Sequence, residues 1–402
     1  MRAFPVAACA TILFARVLVG ETGPRITELQ YLEPLESGHP ALVALGQSLA
    51  EAEAAARSAR TLSNPELGAS RESPGELEQL DVSVSWQLPH PSRRRLAVAA
   101  ADAGVTAARS RLEAERTALR RSVRETFARW ATSTATTETL GRWSGELERL
   151  AARERERAAG GEASGLDARR LALAASEARG RLARAEAERL EALAAARVWR
   201  ADLAPDAVPE LPALGDPGAT AENHPLLVAL RAELEAATAE RDLASRVLDM
   251  ASLSAGWQRQ EAGGEVADGA TLGLSWTVPL FDQRQAEREK ALARVEATSA
   301  RLELAEREIH AGREGALTAY GALRAAATVA SNAAAEGSGV TTAATAAFQA
   351  GETTVTDLLD AVRSATEAEI AAIELYAEAL AARRRLEQLS GALADPPSST
   401  TP

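Results

Sequence analysis

The chain has 402 residues, a formal net charge of −12 and only 3% aromatic residues. That balance argues against nucleic acid as a main partner, because phosphate binding wants a basic face. Ala, Leu, Glu and Arg dominate, which points to long helices and coiled coils rather than a bulky globular core, and Cys9 is the only cysteine, so there is no disulfide framework and no thiolate metal site.

Residues 1–20 read as a secretory signal peptide. Arg2 gives a short basic start, an apolar run follows, Arg16 interrupts it, and cleavage is expected near Gly20. Val6-Ala7-Ala8-Cys9 also has the form of a lipoprotein box, but the leader before Cys9 is short for one. No other segment approaches the roughly 18–20 apolar residues of a membrane helix, so any membrane crossing must use strands. Residues 21–36 are a short lead-in.

Pro40 opens a helix expected to run to about Leu62, since proline is tolerated in a first helical turn. Asp81 to Leu88 then alternates without a break. Val82, Val84, Trp86 and Leu88 take one face; Asp81, Ser83, Ser85 and Gln87 take the other. Period-2 alternation of this kind predicts a two-faced strand. Glu66 to Ser70 is its hairpin partner, with a loop expected over Arg71–Gln79.

A very long helix follows, marked by Val105, Leu112, Leu119, Thr126, Ser133, Leu140 and Leu147 at seven-residue steps. A seven-residue repeat predicts packing with left-handed supercoil. About 60 residues of it would reach about 90 Å. The chain turns at Gly160-Gly161 and returns as a helix over 167–200. Residues 203–221, rich in proline, read as a linker.

The order then repeats. Gly38-His39-Pro40-Ala41-Leu42 returns as Asn223-His224-Pro225-Leu226-Leu227, and Ser85-Trp86-Gln87-Leu88-Pro89 as Ser275-Trp276-Thr277-Val278-Pro279. Gly161, Glu162 and Asp167 return as Gly351, Glu352 and Asp357. The offset, about 185–190 residues, is too long for a solenoid, whose period is about 20–50. Repeat one spans 37–202 and repeat two 222–393. Repeat two brings a helix from Pro225 to about Leu248 and strands over 251–258 and 271–278 around an expected loop at Arg259–Gly269. Leu272, Leu274, Trp276 and Val278 share the apolar face. The second long helix carries Val295, Leu302, Ile309, Ala316, Leu323 and Ala330, and a return helix spans 355–391. Residues 394–402 read as a disordered tail.

The fold class is therefore mostly α with a small β part. An isolated hairpin with an apolar face is barely stable in water. Four strands cannot close a barrel, and lipid offers no hydrogen bonds to an open edge. Several chains must then share one barrel, with Val82, Val84, Trp86, Leu272, Leu274 and Trp276 facing lipid and the polar alternates facing a wet lumen. The bland alternative is a periplasmic coiled-coil interaction protein whose hairpins pack on its own helices.

The tandem order, the strand ends at Leu88-Pro89 and Val278-Pro279-Leu280-Phe281-Asp282, and the turn Gly351-Glu352-Thr353-Thr354-Val355-Thr356-Asp357-Leu358-Leu359 together resemble the TolC-type outer-membrane factor family. The resemblance implies a homotrimer in the outer membrane, with a 12-stranded transmembrane β-barrel and a trimeric α-barrel of antiparallel coiled-coil helices crossing the periplasm. It also implies a periplasmic adaptor and an inner-membrane pump of the RND type. Pro279 to Glu287 is similar to the segment after the last strand in the cation-efflux branch, although Gln283, Arg284 and Ala286 depart from it. Divalent metal cations are the cargo that this finer match implies; drugs or a type I secreted protein are the alternative.

Asp357 and Asp360, at i and i+3, share one helix face. In a trimer they would ring the periplasmic mouth, where crowded carboxylates favour cations; related channels narrow at an equivalent pair. Otherwise Asp357 simply caps a solvated helix start. Repeat one has Asp167 but Arg170 in place of the second acid. The resemblance adds adaptor contact at the tips, around Gly161, Glu162, Asp167, Gly351 and Glu352. His39 and His224 precede helix-opening prolines and read as caps. With His90 and His310 they show no zinc-ligand spacing, so no metal site is expected. There is no Gly-x-Ser-x-Gly and no phosphate loop, so neither an enzyme nor a cofactor is expected.

Overall fold

The computed structural model describes residues 23–391 except 37, 74, 76, 217–223, 247–249, 263, 277, 279 and 280. The signal peptide, Cys9, the tail at 394–402 and the Pro279-Leu280 pair lie outside the described residues. The chain divides into two compact units that cut across both repeats, one of 1–39, 118–221 and 310–402, the other of 40–117 and 222–309. Two long helices run through both: α3 (Pro91–Ala159) and α6 (Gln285–Ala350) have 69 and 66 residues. Both exceed the expected length; α3 begins two residues after the end of the preceding strand at Pro89, and α6 nine residues after Trp276. Every residue of the two seven-step series is buried or half-buried.

The second unit holds α2 (Pro40–Arg60), α5 (Pro225–Ala244) and strands β2 (Glu66–Glu72), β3 (Leu77–Pro89), β5 (Met250–Ala262) and β6 (Glu265–Trp276). Ala103 and Ala107 of α3 pack on Ala232 and Ala236 of α5. Side chains this small let helix backbones approach closely. Arg60–Asp102, Arg231–Glu306 and Arg294–Glu240 pairs at 2.6–2.9 Å decorate the exposed edges. Exposed pairs of this kind are worth about 0–1 kcal/mol each.

The strands form one antiparallel sheet in the order β2-β3-β5-β6. The hairpin turns are tighter than expected. Gly75 (φ 72°) and Gly264 (φ 90°) reverse the chain, and most of Arg71–Gln79 and Arg259–Gly269 is strand. Alternation fades there because polar residues occupy both faces, yet the backbone ladder continues. Arg71 and Glu78 pair across the hairpin at 2.6 Å.

The register gathers Val82, Trp257 and Ala270 in one row, then Val84, Ala255 and Leu272, then Trp86, Leu253 and Leu274, then Leu88, Ala251 and Trp276. These rows form one apolar face. The other face carries Gly68, Ser83, Gly256 and Thr271 in a row, and Ser85, Ser254 and Gly273 in the next. A Cβ built on Gly256 would lie 2.8 Å from Thr271 Oγ1 and 3.0 Å from the Val82 carbonyl oxygen; one on Gly273 would lie 2.5 Å from Ser254 Oγ. Such crowding is what the inside of a curled sheet produces. Gly256→Val is expected to destabilise the sheet by about 1–3 kcal/mol through overpacking, read as a lower unfolding midpoint than the exposed-site control Thr271→Val.

The first unit holds β1 (Arg25–Ile26), α1 (Glu28–Glu36), α4 (Gly165–Trp199), β4 (Val208–Pro209), α7 (Val355–Ser390) and the remaining lengths of α3 and α6. Tyr31, Phe127 and Trp130 form an aromatic core, with centroids 5.1 Å and 5.9 Å apart along the series. The Tyr31 hydroxyl donates to the Ala196 carbonyl at 2.9 Å. The expected linker at 203–221 is, over its described part, a packed strap. β4 pairs in parallel with β1, and Leu203, Ala207 and Val208 are buried. Tyr376, Tyr320 and Arg383 donate to the carbonyls of Pro212, Gly215 and Ala213 at 2.5–2.8 Å.

Beside it lies a cluster of buried charge. Glu28, Arg124, Arg383, Arg384 and Glu387 are all 8% exposed or less. Arg124 reaches Glu28 at 3.2 Å and Glu387 at 3.4 Å, Arg384 reaches Glu387 at 3.2 Å and also binds Glu28, and Arg383 reaches Glu387 at 2.9 Å.

Candidate functional site

Both helix tips are built the same way. Gly161 and Gly351 each adopt φ 78°, a conformation that costs other residues a Cβ clash. Glu162 N donates to Arg157 O and Glu352 N to Ala347 O, both at 2.9 Å. With Gly161 N bonded to Ala158 O and Gly351 N to Phe348 O, each long helix closes in a Schellman motif. Ser164 and Thr354 then cap the return helices. Gly161, Glu162, Gly351 and Glu352 are exposed and Asp167 half-buried.

Behind the tips, four helices share one core. Trp143, Leu147 and Leu150 of α3 pack with Leu171 and Ala175 of α4, and with Val355, Leu358 and Val362 of α7. Phe348 of α6 closes it. The tips of the two repeats are therefore neighbours. Arg170 lies 3.9 Å from Asp167 and donates to Thr356 Oγ1 at 3.3 Å. This link between repeats carries no sequence signal, because its partners are 186 residues apart.

Asp357 completes a capping box. Its Oδ2 accepts from Thr354 N at 3.1 Å and from Thr354 Oγ1 at 2.7 Å, while Asp357 N donates to Thr354 Oγ1 at 3.2 Å. The Thr354 hydroxyl, then its backbone amide, hold the Asp357 carboxyl below its ordinary pKa. A depressed carboxylate contributes stability above its unfolded pKa and loses it as pH falls through the lowered value. Asp360, one turn on, is exposed. Thr354→Val is expected to cost about 1 kcal/mol of local helix stability. Faster hydrogen exchange at amides 355–358 checks it, with the effect of the substitution shrinking at pH below the depressed Asp357 value.

Histidines open helices in three places. His224 Nδ1 accepts from Leu226 N at 3.2 Å at the start of α5, and His90 Nδ1 does the same for Ser92 N at 3.3 Å at the start of α3. The His90-Pro91 start is the signal that periodicity passed over. His39, before α2, stacks 5.4 Å from Trp199. Among the described residues no group of three or more His, Cys, Asp or Glu is placed to hold a metal ion, and no helix is long and apolar enough to cross a membrane.

On the sheet, the six strand residues named above share the apolar face. Leu272 is 86% exposed, Leu274 63% and Trp276 62%, whereas Ser252, Ser254, Gly256 and Gln258 opposite are only half-exposed. The apolar rows of β5 and β6 are thus not packed on a core, although Ser83, Gln87, Thr271 and Ser275 on the other face are exposed as well and Trp86 and Leu88 on β3 are half-buried. Trp86 anchors one end, its Nε1 donating to the Ser63 carbonyl at 2.7 Å, and Trp257 stands at the other end of the band.

Residues 217–392 match the family model described as outer membrane efflux protein. In fold, the chain is similar to the outer membrane protein VceC of Vibrio cholerae, with TM-score 0.72 and 18% identity over 91% of this chain and 96% of that one. It is similar to the CmeC outer membrane channel of Campylobacter jejuni, with TM-score 0.72 and 12% identity over 97% and 94%. The open MtrE outer membrane channel of Neisseria gonorrhoeae gives TM-score 0.70 and 17% identity over 91% and 89%. No curated protein matches the chain in sequence.

Proposed function

We propose, from the premise that this chain belongs to the TolC-type outer membrane efflux protein family, that it is the passive exit duct of a tripartite efflux system. The coarse role, an outer-membrane efflux channel and not an enzyme, comes with the family. The finer reading is a homotrimer that receives substrate from an inner-membrane RND-type pump through a periplasmic adaptor.

One observation supports the membrane placement: the uncovered apolar face of the sheet. Leu253, Trp257, Leu272, Leu274 and Trp276 stand uncovered on one face, Gly256 and Gly273 are crowded on the other, and among the described residues the edge strands β2 and β6 have no further strand partner. Such a sheet is satisfied only where lipid covers the apolar face and neighbouring copies pair the edges. Apolar residues run from Leu80 to Leu88 on β3, about the 9–11 residues a tilted membrane strand needs. Three copies of four strands would close a 12-stranded barrel.

Asp357 and Asp360 of each copy would ring the tunnel mouth and favour cations. The tips at Gly161, Glu162, Asp167, Gly351 and Glu352 are the surfaces offered to the adaptor. Divalent metal cations are the cargo the Phe281-Asp282 segment favours, and drugs or a secreted polypeptide are the second reading. A deletion strain grown on Zn, Co, Cd, Ni and Cu salts and on a drug panel tests this. Sensitivity to the metals alone, restored by the gene, is the expected result; sensitivity to drugs alone sinks the metal reading. A protein that leaves the outer-membrane fraction and shows no detergent-resistant trimer sinks the channel itself.

A further inference from the structure

The buried charges of the first unit do not cancel. Arg124, Arg384, Glu28 and Glu387 close a ring in which each arginine touches both carboxylates. With two charges of each sign, the ring is neutral. Arg383 is left over. Among the described residues its one paired carboxylate is Glu387, at 2.9 Å, which Arg124 and Arg384 already share. Its Nη1 donates to the strap carbonyl of Ala213 at 2.6 Å, which offers a dipole and no charge. Asp216, the next acid along the strap, pairs instead with Arg324 at 2.6 Å on the exposed side. The carbonyl end of α7, at Gly391, lies about two turns beyond Arg384, and its partial negative charge fades within the last turn. A guanidinium cannot shed the surplus by losing a proton. A buried charge without a counter-charge is among the costliest features a fold can carry.

Two further observations point to the same place. The Nε groups of Arg383 and Arg384 are buried without a hydrogen-bond acceptor, and the 2.9 Å approach of Arg383 Nε to Glu387 Oε1 is an ion pair whose N–H points off the oxygen. Water would satisfy such groups one by one, but not the charge. Gly215 of the strap also leaves the guanidinium uncovered: a Cβ built there would lie 3.6 Å from Arg383 Nη1 and 3.7 Å from its Cζ and Nη2. We infer that Arg383 anchors a small-anion site, in which a monovalent anion such as chloride rests against its guanidinium beside Gly215. One negative charge is what the five groups lack, so a monovalent anion matches and a divalent one overshoots. A halide accepts from several N–H groups without a fixed direction, which suits guanidinium edges left over once Glu387 is bound. The ion lets Arg383 hold the strap without a bare charge. Every residue of the site lies in the first unit, and the inference stands apart from the channel reading.

The test is thermal unfolding of the purified protein in a nonionic detergent, with sodium chloride exchanged stepwise for sodium gluconate at fixed ionic strength. The parent midpoint is expected to rise by about 2–5 °C between about 1 and about 300 mM chloride. Arg383→Gln, which keeps an amide donor for the Ala213 carbonyl and removes the surplus charge, is expected to lose that response. Arg385→Gln, at the exposed neighbouring position, is expected to keep it. Bromide soaked into crystals of the parent is expected to give an anomalous peak beside Arg383 that is absent from Arg383→Gln. A parent midpoint indifferent to chloride overturns the site. So does a response of equal size in Arg383→Gln, which would be a general effect of salt, or a bromide peak only elsewhere. Should Arg383→Gln fail to fold, Gly215→Val, which covers the open side of the guanidinium, takes its place, and a response as large as the parent's counts against the site.

Discussion

Glu28→Ala is expected to cost about 3–5 kcal/mol, more than any exposed charge in the molecule, because it breaks a buried ion-pair cluster from one side. Glu28 is 8% exposed and faces Arg124 and Arg384, which are 4% and 2% exposed. Without it the three arginines of the cluster would face Glu387 alone. Burial already pushes the Arg384 guanidinium pKa down, and Glu28 is the largest influence opposing that. Removing Glu28 therefore leaves positive charge in a site that cannot hydrate it. Thermal unfolding of the purified protein in detergent, followed by helical circular dichroism, measures the loss. Glu33→Ala, on the exposed side of α1, should stay within about 0.5 kcal/mol. Equal effects at the two positions would mean that water reaches the cluster freely.

Leu272→Arg is the second large expectation. Leu272 lies in an inner row of the apolar face and is 86% exposed within the chain. In lipid an arginine near the bilayer midplane of a barrel wall costs about 2–4 kcal/mol, and a symmetric assembly multiplies the cost by its copies. The variant is expected to lose the heat-resistant outer-membrane oligomer and to be degraded. Its sequence neighbour Thr271, on the polar face, is the matched control. Thr271→Arg is expected to assemble, since a charge there meets water. If both variants assemble equally well, the apolar face does not meet lipid.

Much of this architecture is written in local pattern. The alternation of Val82, Val84 and Trp86 marks β3, the seven-step series marks α3 and α6, and the prolines at 40 and 225 mark helix starts. Each rests on contacts within a few residues, so a window of sequence contains the information. The outer halves of the hairpins escaped because Arg71, Glu78, Arg259 and Glu261 break the apolar alternation while the backbone pairing continues. The strap at 205–216 escaped for another reason. Its prolines spell linker, but what holds it are Tyr320, Tyr376 and Arg383, more than 100 residues away in sequence. The same distance hides the Arg170–Thr356 link and the Glu28 cluster. At the tips, the turn glycines were legible, whereas the Thr354 bonds to Asp357 emerged only from side-chain geometry.

The pairing of β3 with β5 also sets a clock. It joins Pro89 to Met250 and Leu77 to Ala262, so the two hairpins meet only after most of the polypeptide has been exported. Each hairpin closes over a handful of residues and can form in microseconds; their union must close a loop of over 160 residues and belongs to the slow, high-contact-order class of events. During that wait both hairpins display leucine and tryptophan with unpaired edges, a hazard for off-pathway aggregation. A chain wired this way is most exposed to aggregation before the β3–β5 seam closes. Pulse-chase maturation, rather than equilibrium stability, is where lesions in the β3–β5 seam should first show.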